Sequence, residues 1–210
     1  MIVDPKTASP RDCYKLMIGG IVPRPIAFVS TLSPEGVPNL APFSYFTAIT
    51  SSPPTICFSP GRRFDTGEKK DTLRNIEAIG EFVVNVVTEN IGKQMNETAT
   101  DFPPGTNEFE VSGLTAVPSR IITPPRVAES PINMECKLYK VVPIGPDGPG
   151  GGALVIGEIV LCHIDDRIYE NGRLNIEGLR PLGRLAGALY TTLGRIVTMK
   201  RKAYRPADNS

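Results

Sequence analysis

The sequence predicts a mostly β protein, a β-barrel with helical insertions, and three observations predict it. Runs rich in β-branched and aromatic residues are short and recur along the chain, as in Ala27-Phe-Val-Ser-Thr31, Thr55-Ile-Cys-Phe-Ser59 and Glu81-Phe-Val-Val-Asn-Val-Val87. Gly 20 and Pro 21 in 210 residues punctuate these runs with turns, yet fall short of the content of disordered chains. Only two or three stretches carry the spacing of a helix, which leaves strands to build the core. The length suits one domain over 1–210 with its core at about 14–200, since no Gly/Ser linker divides the chain.

Taken in order, residues 26–31 read as a strand that ends at the turn Ser33-Pro34-Glu35-Gly36. An extended run from 39 to 49 returns as the second arm of a hairpin. Within it, strict alternation would set Phe43 and Tyr45 on one face and Ser44 and Phe46 on the other. Pro53-Pro54 breaks the chain before a third strand at 55–59, and residues 60–70 form a polar loop. Asp71 is the expected N-cap of a helix with Leu73, Ile76 and Ile79 along one face and Gly80 as its stop. A strand at 81–87 follows, then a short helix through Ile91 and Met95 that runs into the Pro-rich stretch 102–107. Two longer strands, 132–142 and 153–164, flank an exposed Gly-rich connection at 145–152, and a last strand is expected near 194–200.

Composition excludes several chemistries. Lys+Arg 23 against Asp+Glu 22 leaves a net charge of +1, so no overall field gathers nucleic acid or an anionic membrane. His163 is the single histidine, which rules out a two- or three-His zinc site within one chain, and no metal is expected. HExxH, GxSxG, GxxxxGK[ST] and GxGxxG are all missing, against a zinc hydrolase, an α/β-hydrolase, a P-loop enzyme and a Rossmann dehydrogenase. Cys13, Cys57, Cys136 and Cys162 form no CxxC pair and read as buried free thiols of a reducing compartment. The N-terminus shows no basic stretch followed by an apolar run, and no apolar run approaches the ~18 residues of a bilayer span. A soluble, cytoplasmic protein is the expectation.

The stretch richest in chemistry is 59–75, SPGRRFDTGEKKDTLRN. Arg62, Arg63, Lys69, Lys70 and Arg74 outnumber Asp65, Glu68 and Asp71, immediately before a helix start that carries the Thr72 hydroxyl. Free N–H groups at a helix N-terminus, a hydroxyl and flanking cations together suit one phosphate; a solvated, capped loop has the same composition. No interleaved aromatic stripe makes it a nucleic-acid surface. Ser30, Thr31 and Asn39 lie at strand ends, where small polar groups either face a planar heterocycle or cap the hairpin through backbone bonds.

Several motifs then occur in one order: Val22-Pro-Arg-Pro-Ile-Ala-Phe-Val-Ser-Thr31, Asn39-x-Ala-Pro-Phe-Ser-Tyr-Phe46, Ser52-Pro-Pro54, Lys70-Asp-Thr72-x-x-Asn-Ile76, Gly80-Glu-Phe-Val-Val-Asn85, Gly157-Glu-Ile-Val-Leu-Cys-His163 and Pro181-Leu-Gly-Arg-Leu-Ala-Gly187 with Tyr190. In that order they resemble the flavin reductase-like, FMN-binding split-barrel family, which takes in the flavoredoxins and reductases of the nitrilotriacetate monooxygenase component B type. The resemblance spans about residues 14 to 195. It implies a Greek-key split β-barrel with a few short helices, assembled as a homodimer with flavin near the subunit interface. Carried over by motif, Ser30 and Thr31 lie beside the flavin and Asn39 bonds the ring edge or ribityl chain. The backbone of Phe46, Thr47 and Ala48 contacts the ring, and Ser59, Arg63, Lys70 and Thr72 take the phosphate. The loop 62–69 departs from the family spacing, which leaves Arg62 beside Arg63 as a phosphate ligand, and Ala186 stands where the family has glycine.

His163, at a strand end, reads as a structural histidine or, through the resemblance, as a catalytic group near the nicotinamide. The activity implied is that of an NAD(P)H:flavin oxidoreductase using FMN, with hydride passing from NADH or NADPH to flavin N5. Reduced flavin would then go to a monooxygenase or another electron-transfer partner. A flavoredoxin-like electron carrier and a non-catalytic flavin-binding module are the alternatives. A sequence with one histidine and no acid–base constellation suits chemistry that a cofactor carries.

Overall fold

The run Ala27–Leu32 (β1) has no polar face, and the strand is buried along both sides in the computed structural model, which describes residues 1–202. Ala27 and Val29 enter one core with Phe43, Phe58, Phe82, Val84 and Val155. Phe28 enters a second with Leu40, Val87, Met95 and Phe109. A strand buried on both faces cannot alternate in polarity, and this one does not.

Six further strands complete the sheet: β2 (Pro38–Phe43), β3 (Phe46–Ser51), β4 (Pro54–Phe58), β5 (Glu81–Val86), and, after the two-residue ladder of β6 (Ala116–Val117) with β7 (Arg126–Val127), the long hairpin of β8 (Ile132–Ile144) and β9 (Gly152–Ile164). Their order is β2-β1-β5-β8-β9-β4-β3, antiparallel throughout. The outermost strands, β2 and β3, are consecutive in the chain and separated only by Ser44-Tyr45. The sheet therefore curls until its ends meet at one corner without a ladder between them. This is the split β-barrel that the sequence predicts, mostly β with few short helices.

The barrel core is aromatic. Phe58 stands between Phe43 and Phe82, with ring centroids 5.2 and 5.6 Å away, in the tilted and edge-on arrangements that aromatic pairs prefer. Gly157 on β9 makes room for Phe82, because a Cβ there would lie 2.3 Å from the ring.

Helix α1 (Pro10–Gly20) is absent from the sequence reading, although Ser9 caps it through Asp12 N–H and Pro10 opens it. Helix α2 (Asp71–Ile79) plugs the barrel with Leu73 and Ile76 and stops at Gly80, whose φ of 75° suits glycine. Its N-cap is Lys70 rather than Asp71, which becomes the first helical residue. A 3-10 turn, Glu89–Ile91, leads into α3 (Gly92–Glu97), and α4 (Glu108–Ser112) packs beside it over the outer face of β1 and β2.

Three other expectations are corrected. Strict alternation through 43–47 fails because the chain turns at Ser44-Tyr45, so Phe43 and Phe46 both meet the barrel core. Residues 192–202 form no strand, since no neighbouring edge pairs with them. Only Cys136 of the four free thiols is buried. Among the described residues no helix is long and apolar enough to cross a membrane.

Candidate functional site

The register of β2 beside α2 sets Asn39 against the start of the helix, where its Nδ2 donates to Thr72 Oγ1 at 3.0 Å. Lys70 caps the helix with extended backbone and no side-chain acceptor, so the first N–H groups of α2 have no capping side chain. The preceding loop delivers Arg63 to the same place. Its guanidinium lies 3.4 Å from Asp71 and 3.7 Å from Asp101, while Lys70 Nζ lies 3.1 Å from Asp101 and Arg74 2.6 Å from Asp71. Three cations thus share two carboxylates. Moreover, the Arg63 Nε–H is buried and has no partner among the described residues. A buried donor without an acceptor costs about 1–3 kcal/mol.

Asn39, Arg63, Lys70, Thr72, Asp101 and Glu108 line a cavity of about 60 Å³ here. Glu108 is buried and accepts the Leu40 N–H at 2.9 Å. Burial pushes its carboxyl up to about 6, against the pull of that N–H. The cavity shares Pro42 and Ala99 with a second one of about 180 Å³. There Arg24 stands 5.9 Å from the Tyr45 ring centroid and Arg184 4.3 Å from that of Tyr190. The two adjoin across Pro42 and Ala99 and are taken together as one groove, with a cation cluster at one end and two tyrosine rings with their arginines at the other.

Of the residues singled out in sequence, Asn39, Arg63, Lys70 and Thr72 come together in this groove. Arg62 does not; it bonds Gly67 O and Asp147 of the β8–β9 connection. Ser30 and Thr31 are fully buried outside it. The Ser30 hydroxyl donates to Pro125 O and accepts from Asn85, and the Thr31 hydroxyl accepts from Asn75 at 3.0 Å. Phe46, Thr47 and Ala48 open β3 directly after Tyr45, with Thr47 and Ala48 exposed. Ser59 is half-buried, and its N–H donates to Tyr45 O at 2.9 Å. Asp101 and Glu108 escaped the sequence reading, and Arg24, Arg184 and Tyr190 entered it only as motif residues without a role at the site, since each reaches the groove from a segment remote in the chain.

His163 lies elsewhere. Its Nε2 meets Glu135 Oε1 at 2.5 Å. Burial would raise the Glu135 carboxyl, yet the N–H groups of Arg120, Ile121 and Ile122 together with His163 hold it below its ordinary value. His163 lines a third cavity, which shares no residue with the groove.

The flavin reductase-like domain model matches residues 19–187. The chain is 43% identical over 202 residues to an uncharacterized protein of Halalkalibacterium halodurans, covering 96% of each. Among solved structures, nitrilotriacetate monooxygenase component B of Bacillus cereus superposes with a TM-score of 0.91 at 42% identity, covering 95% of this chain and 98% of that one. A 2-nitrobenzoate 2-nitroreductase of Pseudomonas fluorescens superposes with a TM-score of 0.86 at 31% identity over the whole of both chains.

Proposed function

We propose that this chain, which belongs to the flavin reductase-like family, is an NAD(P)H:flavin oxidoreductase that holds FMN in the groove between α2 and the two tyrosines. The observation that carries the assignment to FMN is the partnerless buried Nε–H of Arg63 beside Lys70 at a helix start with no side-chain cap. These groups fit a terminal phosphate. Arg63 and Lys70 supply charge, and the Thr72 hydroxyl and the first N–H groups of α2 supply directed donors. Asp101 is half-exposed in its pairs with both cations, so a phosphate displaces it without leaving a buried carboxylate stranded. Asn39 holds the Thr72 hydroxyl in place through its 3.0 Å bond.

At the other end, Tyr45 and Tyr190 offer flat apolar surface with a cation on each ring, suited to stacking with a planar heterocycle. Hydride exchange between nicotinamide and flavin N5 is the chemistry the cofactor supplies when bound. The protein's share is to orient two rings and exclude water, for which the groove needs no general acid or base. A monooxygenase or another electron-transfer protein is the proposed recipient of the reduced flavin. The proposal covers one domain, acting as a homodimer in the reducing cytoplasm, where the four cysteines stay free.

Titration of the purified protein with FMN, followed by anaerobic addition of NADH and then NADPH, tests this reading. Quenching of flavin fluorescence at one equivalent per chain, and bleaching of the flavin absorbance by a reduced nicotinamide, are expected. A protein that leaves FMN fluorescence unchanged refutes the site, and one that binds FMN but is reduced by neither nicotinamide refutes the activity.

A further inference from the structure

The third cavity, about 540 Å³, lies between the start of β8, the His163 end of β9 and the segment that follows it to Arg180. That volume is within the range of small-molecule sites. Its charges are unequally matched. Arg167 is paired with Asp165, and Arg180 with Glu89. Glu129 turns both oxygens to the Thr115 N–H, at 3.0 and 3.1 Å. Arg126 alone among the arginines on this wall has no carboxylate partner among the described residues. Its Nε and one terminal nitrogen donate to Pro118 O at 3.2 and 3.1 Å, and the other terminal nitrogen donates to Asn133 Oδ1 at 3.1 Å. Both acceptors are neutral. They fix the plane of the guanidinium, engage three of its five N–H groups and leave its charge uncompensated.

His163 adds a second polar edge. Glu135 already accepts three backbone N–H groups and is held ionised by them, so the imidazole donates to it through Nε2. The other ring nitrogen, Nδ1, has no hydrogen-bond partner among the described residues, and the ring lines the cavity. Pro131, Ile164, Ile168 and Leu179 give the wall an apolar part. One immobilised guanidinium, one imidazole edge and an apolar wall match a singly charged, planar anion on a small hydrocarbon body. A phosphate dianion would call for more charge than Arg126 alone supplies.

We propose that this cavity is a binding site for a small organic carboxylate, held by the free N–H groups of Arg126 and flanked by the His163 ring. The site is separate from the groove assigned to FMN and does not rest on that assignment.

Because His163 is the only histidine in the chain, its ring protons report directly on the cavity in a proton NMR spectrum of the full-length protein. Benzoate is the probe, benzamide its neutral counterpart, and acetate the control that lacks the apolar body. Benzoate should shift the His163 signals in a saturable way, with benzamide and acetate each at least about tenfold weaker, the factor that one good polar or apolar contact supplies. Arg126→Gln should weaken benzoate by a similar factor while FMN affinity stays unchanged, and Arg126→Lys should retain part of the binding. Absence of a His163 shift at millimolar benzoate, equal binding of benzoate and benzamide, or competition between benzoate and FMN would each overturn the proposal. If the Arg126 variants fail to fold, the three ligands on the unaltered protein decide it.

Discussion

Glu108 lies beside the cations of the groove as a buried carboxyl raised to about 6 from an ordinary 4.5. In the folded state it binds its proton more tightly than in the unfolded chain. Its stabilising contribution is therefore complete below pH 4.5 and is lost as pH rises through 6. A shift of that size corresponds to about 2 kcal/mol. Glu108→Gln keeps an acceptor for the Leu40 N–H and removes the ionisation, so it should be more stable than the parent at pH 7.5, by about 1–2 kcal/mol, with the gain gone at pH 4. Urea denaturation at the two pH values measures this. At the neighbouring cation, Lys70→Ala should weaken FMN binding by about 1.5–3 kcal/mol, the worth of a charge-assisted hydrogen bond. Riboflavin, which lacks the phosphate, should be nearly indifferent to the change. Equal losses for the two flavins in a fluorescence titration would put Lys70 away from the phosphate.

At the level of elements, the strands legible in sequence are those whose apolar runs are long enough to be buried, such as β1 and β5. Their limits are off by a residue or so because the ladder, not the side chains, sets where a strand ends. α1 went unread because most of its apolar residues, Tyr14, Leu16 and Met17 among them, are exposed, so its pattern has no single buried face to reveal it. The role of Gly157 was equally hidden. It serves Phe82 on β5, a strand that pairs with β8 and not with its own β9. Gly157→Ala should destabilise the protein by about 1–3 kcal/mol through overpacking. Gly80→Ala meets no neighbouring atom and should cost about 1–2 kcal/mol from its left-handed backbone alone. Thermal unfolding of the two variants separates them further: Phe82→Leu, which shortens the ring, should relieve the first and leave the second untouched.

For the whole molecule, apolar side chains left in solvent point to a missing partner. β3 is exposed along nearly all its length, with Ile49 on it, and Leu193, Ile196, Val197 and Met199 are exposed in the segment that follows Thr191. Patches of this kind mark interfaces, and a two-fold pair is their commonest closed solution. The protein should therefore sediment at twice the 22.7 kDa of its chain. A monomer at micromolar concentration that still binds FMN tightly would show that the groove is complete in one copy.

The sequence by itself determined what depends on neighbours along the chain. The short apolar runs and their turns specified a mostly β barrel, Gly80 specified the end of α2, and the basic stretch before α2 specified the cations that cluster at its start. Tertiary structure decided which polar groups stay free to act. Ser30, Thr31 and Thr72 look alike as hydroxyls, and each accepts from an asparagine, Asn85, Asn75 and Asn39 in turn, but only Thr72 of the three lines the groove. Arg62 and Arg63 are adjacent, yet one bonds into the β8–β9 connection and the other reaches Asp101. His163 is committed to Glu135, 28 residues away. The physical reason is common to these cases: a polar side chain's partner is set by strand register and by what covers the strand, and neither is written within a few residues of the side chain itself.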